Sequence, residues 1–189
     1  MDVNVSAKRF FEDFKAISKD EEAIKQYHDN KGFTNYVIKK IHSIIEGYKL
    51  KAEQEYYRID VIGYASHFDD VKANRNVHIE PYAWDLKIAV EHENDDKLWM
   101  DEVVKLAHIC CDLRVVIGYL PIYKEKPRED EKCLEYIADV MKKHCKCYEN
   151  LKNNEFMIII GNSNTKKRDE FFEYKGYVFN PVAEKFELI

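Results

Sequence analysis

Glycine and proline are scarce in this chain, at six and four of 189 residues. So few breakers exclude long flexible linkers, and neither an internal repeat nor a low-complexity tract is present. No apolar run approaches the ~20 residues that span a bilayer. The opening stretch, MDVNVSAKRFFEDFKAISKDEE, is charged throughout and lacks the apolar centre of a secretion signal. These absences predict a cytoplasmic protein with no membrane partner. There are five cysteines, an odd number, and Cys110 and Cys111 are adjacent. That suits reduced thiols better than a disulfide framework. Cys133, His144, Cys145 and Cys147 carry zinc-binding atoms, but no CxxC occurs and residues two apart on a helix diverge, so zinc is not expected. A P-loop, a dinucleotide glycine fingerprint and a GxSxG element are all missing, which removes the usual phosphate-loop and serine-hydrolase readings.

Apolar residues make up 46% of the chain and charged residues 34%, with a net charge of −5. This is a globular composition and too acidic for a general nucleic-acid coat. Local basic patches still bind phosphate whatever the total charge.

The chain reads as one domain over 1–189, with a helical part at 1–47, a core at about 34–120 and a C-terminal helix and strands at 121–189. Residues 6–29 read as helix, broken near Ser18, where SKDE predicts a capping box with Glu21 reaching back. Thr34 caps a second helix, whose apolar stripe is Val37, Ile41, Ile44, Ile45 and Tyr48 and whose stop is Gly47. Residues 48–64 look extended, as one bent strand or two. Residues 65–79 read as a loop or hairpin connection, and strand character returns from Trp84 to Glu93. A helix with Asp95 and Asp96 in its first turn and Leu98, Val103, Leu106 and Ile109 inward leads to an apolar strand, CDLRVVIGYL. Strand, helix and buried strand make a βαβ unit with a parallel pair. A helix at 129–148, a strand in EFMIIIGNS and a closing hairpin complete an α/β pattern with a mixed sheet.

Within this pattern the acids stand out. Glu91 and Glu93 in AVEHEN share one face of a strand, roughly 6.5–7 Å apart. Asp60 interrupts the apolar run RIDVIGY, and a carboxylate there is expensive to bury unpaired. Neighbouring strands can bring Asp60 to Glu91, with Glu55 and the helix-ending Glu46 as further candidates. Convergent carboxylates form a hard oxygen site for Mg²⁺ or Mn²⁺. The bland reading pairs Asp60 with Arg58 or Arg114 and leaves Glu91 and Glu93 at a solvated strand end. His92 falls on the opposite face, where packing is expected, and His42 sits one turn before Glu46. Lys166, Lys167 and Arg168 are candidates for DNA phosphates, and some of the 13 tyrosines, Tyr56 and Tyr57 among them, can stack on bases.

A helical Glu46, then RID, then AVEHEN, then a helix and an apolar strand resembles the PD-(D/E)XK nuclease superfamily over residues 34–120. The resemblance implies a restriction-endonuclease-like fold, a mixed β-sheet flanked by helices. It implies a divalent-metal-dependent DNA endonuclease that hydrolyses phosphodiester bonds. Asp60 matches the acid of the second core strand, Glu91 the first acid of (D/E)XK, and Glu46 the helical glutamate. The lysine position holds Glu93, as in ExE relatives, where the second glutamate acts as base or extra ligand. Asp85 and Lys87 form a literal DxK six residues earlier and are the alternative pair. Many nucleases of this type cut as homodimers. The other readings are a silent nuclease-fold binding module and a nuclease subunit active only with a partner subunit.

Overall fold

The computed structural model describes residues 5–65, 85–121, 129–144, 153–163 and 165–189. The expected connection at 65–79 beyond Ala65, the strand start at Trp84, and Cys145 and Cys147 lie outside the described residues.

The N-terminal part is helical. It comprises α1 (Ala7–Lys15), a 3₁₀ turn (Ala16–Lys19), α2 (Glu21–Gln26) and α3 (Asn30–Gly47). Two caps differ from expectation. Asp20, not Ser18, caps α2 by accepting from Glu22 N, while Ser18 Oγ donates back to Lys15 O. Asp29, not Thr34, caps α3, and Thr34 Oγ1 bonds Asn30 O within the helix. In both cases the aspartate stands directly before the first helical residue, where its side-chain oxygen reaches one of the first free N–H groups. The stripe Val37, Ile41, Ile44, Ile45 and Tyr48 is buried as the spacing requires.

The rest is strand and crossover. β1 (Lys51–Tyr56), β2 (Ile59–Tyr64), β3 (Leu86–His92), α4 (Trp99–Ala107), β4 (Leu113–Leu120), α5 (Glu129–His144), β5 (Glu155–Asn162), α6 (Arg168–Phe171), β6 (Lys175–Asn180) and β7 (Lys185–Leu188) follow in order. Among the described residues seven strands form one mixed sheet in sequential order. β3, β4 and β5 are parallel at its centre, and the flanking pairs are antiparallel. Successive right-handed crossovers in one direction put α4 and α5 on the same face. There they close a core of Trp99, Val103, Leu106, Leu134, Ile137 and Met141 over Ala89, Val116 and Ile158. The N-terminal helices and α6 cover the other face, over Val61, Ile88, Val90, Val115 and Ile117.

Leu98 departs from expectation and is 49% exposed. Helix α4 begins only at Trp99, with Leu98 as its N-cap, so Trp99 takes the inward position and Asp101 and Glu102 occupy the first turn instead of Asp95 and Asp96. Gly118 on β4 makes room for this. A Cβ there would lie 2.7 Å from Trp99 Cβ and Cγ. Among the described residues no helix is long and apolar enough to cross a membrane.

Candidate active site

The register of β2 on β3 builds the site. Val61 pairs with Val90 and Ile62 with Ala89, so one further step sets Asp60 beside Glu91. Both lie on the α4–α5 face, because Ile62 and Ala89, two residues away, sit in that core. Glu55 of β1 lies across from Asp60, between the pairs Gln54–Val61 and Tyr56–Ile59. It is exposed and held at φ 60°. A row of three acids therefore crosses β1, β2 and β3.

Each inner acid is fixed. Asp60 Oδ2 accepts from the backbone N–H of His92 at 2.7 Å. Burial raises its pKa, and that bond and the Lys105 ammonium oppose the rise. Glu91 is 3% exposed. Its Oε1 lies 2.6 Å from Lys105 Nζ. Lys105 Nζ also donates to the Arg58 carbonyl at 2.9 Å and pairs with Glu102. Burial, with the Asp60 charge adding to it, pushes the Glu91 carboxyl up to about 8 despite Lys105. Burial would lower Lys105, but its bonds to Glu102 and Glu91 outweigh that and raise it.

Lys105 and Glu102 are the members that sequence reading missed. Their signal was present: a helix between two parallel strands must return across the face it covers. Glu102 and Lys105 sit three apart at the margin of the α4 stripe formed by Trp99, Val103 and Leu106. Neither Arg58 nor Arg114 supplies the cation for Asp60. Arg58 offers its carbonyl to Lys105, and Arg114, 0% exposed, donates from Nε to Ile109 O at 2.7 Å.

The other candidates are placed elsewhere. Glu93 follows the end of β3, and its Oε1 accepts from Asp95 N at 2.8 Å, so it caps the next turn instead of joining Glu91. Glu46 is exposed and pairs with His42 at 3.4 Å. It belongs to α3, on the opposite face. Phe33 near the start of α3 meets the His92 ring at 6.3 Å. Glu46, thirteen residues on, is therefore about 20 Å further along the helix. Asp85 and Lys87 pair with each other at 2.8 Å, and Lys87 also reaches Asp112 at 3.4 Å, all near the start of β3. His92 faces the N-terminal helices and bonds Tyr119 Oη at 3.0 Å. Lys166 accepts from Tyr27 at its carbonyl, Lys167 pairs with Glu170, and Arg168 donates to Ser18 O. Lys166 and Arg168 thus brace the N-terminal part, Lys167 pairs locally, and all three residues remain exposed.

Asp60, Glu91 and Glu102 thus set three carboxyl groups around the single ammonium of Lys105. Among the described residues no group of three or more His, Cys, Asp or Glu side chains is gathered to hold a metal alone. Mg²⁺, however, keeps several waters and takes only one or two carboxylates together with substrate phosphates. Asp60 and Glu91 fit that share. No protein-family model matches the chain, and none of the curated proteins searched matches it either.

Proposed function

We propose that this protein is a divalent-metal-dependent endonuclease of the PD-(D/E)XK type that hydrolyses DNA phosphodiester bonds at the Asp60–Glu91 cluster. The observation that carries this reading is the meeting of Asp60 and Glu91 on adjacent strands, with an ammonium 2.6 Å from Glu91. An acid on each of the second and third core strands is what the resemblance implies for the two metal-binding positions. The ammonium missing from position 93 is supplied in space by Lys105 of α4.

The residues divide the work by their chemistry. Asp60 and Glu91 hold Mg²⁺ or Mn²⁺ through hard carboxylate oxygens. Such an ion, when bound, polarises a phosphoryl oxygen and lowers the pKa of water. Lys105 opposes the effect of burial on the Glu91 carboxyl and sets a positive charge where a phosphate must approach. The His92 N–H orients Asp60. Glu102 shares the lysine and so tempers its hold on Glu91.

The test is cleavage of a large, sequence-diverse DNA in Mn²⁺ or Mg²⁺, beside EDTA and the Asp60→Ala and Glu91→Ala proteins. Cutting that needs metal and disappears in both variants, with their melting transitions intact, is the expected result. Full activity in either variant would remove the assignment. Calorimetric metal binding without cutting would point to a missing partner subunit, and neither binding nor cutting to the silent module.

A further inference from the structure

The lip of the acid cluster is a strained turn. β1 and β2 are joined by Tyr57 and Arg58, between the paired Tyr56 and Ile59. Both are in the left-handed region, at φ 48° and 64°, and Glu55 beside them is at 60°. A two-residue hairpin needs positive φ at both central positions, which is why Asn-Gly is favoured there. Tyrosine and arginine are poor choices for folding alone, and strain of this kind concentrates at working sites.

What the turn presents is specific. Tyr57 is 81% exposed, more than any other large aromatic among the described residues, and its ring meets Tyr56 edge-on at 4.6 Å. The Arg58 side chain is exposed, and among the described residues its guanidinium makes no ion pair. The Arg58 carbonyl, however, is tied to Lys105 Nζ, which is itself 2.6 Å from Glu91. The turn is thus fastened to the acid cluster through one lysine. It offers a flat ring and a second cation beside a site built of carboxyl groups and the Lys105 ammonium.

We propose that the Tyr57–Arg58 turn grips a DNA strand with unpaired bases next to the bond to be cut, Tyr57 stacking on a base and Arg58 pairing with the adjacent phosphate. Intact duplex hides its base faces, so only a strand with unpaired bases offers Tyr57 a stacking partner. This rests on the nuclease reading and adds a substrate class to it: single-stranded or frayed DNA.

Steady-state cleavage of a labelled poly-dT oligonucleotide and of a blunt duplex, in Mn²⁺, tests it. The wild-type protein is expected to have the lower KM on poly-dT. Tyr57→Ala should raise that KM about tenfold with little change in kcat, while Tyr57→Phe keeps it low. The double variant Tyr57→Asn, Arg58→Gly is the control for folding. It should relieve the turn and raise Tm by about 2–4 °C, yet lose the same substrate affinity. Cleavage by the wild type with KM unmoved by Tyr57→Ala would overturn this inference and leave the nuclease reading standing. Equal or better KM on the duplex would overturn it too. Failure of the wild type to bind or cut either DNA would overturn both.

Discussion

Glu91 and His92 are neighbours in sequence and lie on opposite faces of one strand. Burial acts on both in the same sense, toward the neutral form. It pushes Glu91 up to about 8 and His92 down to about 3. Their surroundings differ. His92 meets Tyr119 Oη and the rings of Phe33 and Tyr119, and among the described residues no ionised group restores its charge. Glu91 meets Lys105, Asp60 and Glu102. The same strand step thus yields a neutral packing residue on one side and a titrating cluster on the other. The lesson is that burial does not make a site; burial beside convergent charges does.

Removing the ammonium tests the charged side most directly. Lys105→Ala should lower cleavage about 10²–10³-fold, by analogy with the loss of one oriented electrostatic donor. A change of less than about threefold would make Lys105 a structural pair only.

The two residues should also pull stability in opposite directions with pH. Glu91 has a folded pKa above its ordinary value, so its contribution is full below about 4.5 and is lost as pH rises through about 8. His92 has a folded pKa below its ordinary value, so its contribution is full above about 6.5 and is lost as pH falls toward about 3. In metal-free buffer, Tm should peak between these ranges. Glu91→Gln should flatten the alkaline limb alone, and His92→Phe should flatten part of the acid limb. Loss of the alkaline limb in His92→Phe would refute the separation of the two faces.

A smaller effect sharpens the link between packing and site. Gly118→Ala would drive a methyl group into Trp99. The expected destabilisation is about 1–3 kcal/mol, with cleavage falling as α4 shifts Lys105. Denaturant melts and kcat read the two halves of this together. The smallest effect belongs to the literal DxK. Lys87→Ala removes a partly exposed pair near the other end of β3 and should cost at most about 1 kcal/mol. Its kcat should match the wild type, and so should that of Glu46→Gln. A catalytic loss in Lys87→Ala would move the site to Asp85 and Lys87.

The order of elements was legible along the chain because the signals are local. The stripe from Val37 to Tyr48, the run LRVVIGYL and the βαβ spacing each carry their own period. Asp60 and Glu91 were legible as carboxylates interrupting apolar strands. Their neighbours were less so. The alternation that put Glu93 on the face of Glu91 holds only within β3, which ends at His92. Once outside the pleat, Glu93 turned to cap Asp95 N. Glu46 read as a partner from its place in the order of elements, yet α3 lies on the other face.

By itself, then, the sequence determined the alternation of strands and helices, the apolar faces and which acids are costly to bury. Those follow from backbone periodicity and from solvation. Only the tertiary structure decided that Asp60 stands beside Glu91, because strand register is set by the packing of both faces at once. Only it decided that the cation comes from Lys105. A helix residue reaches a strand residue fourteen positions away only when a crossover of fixed hand lays the two together.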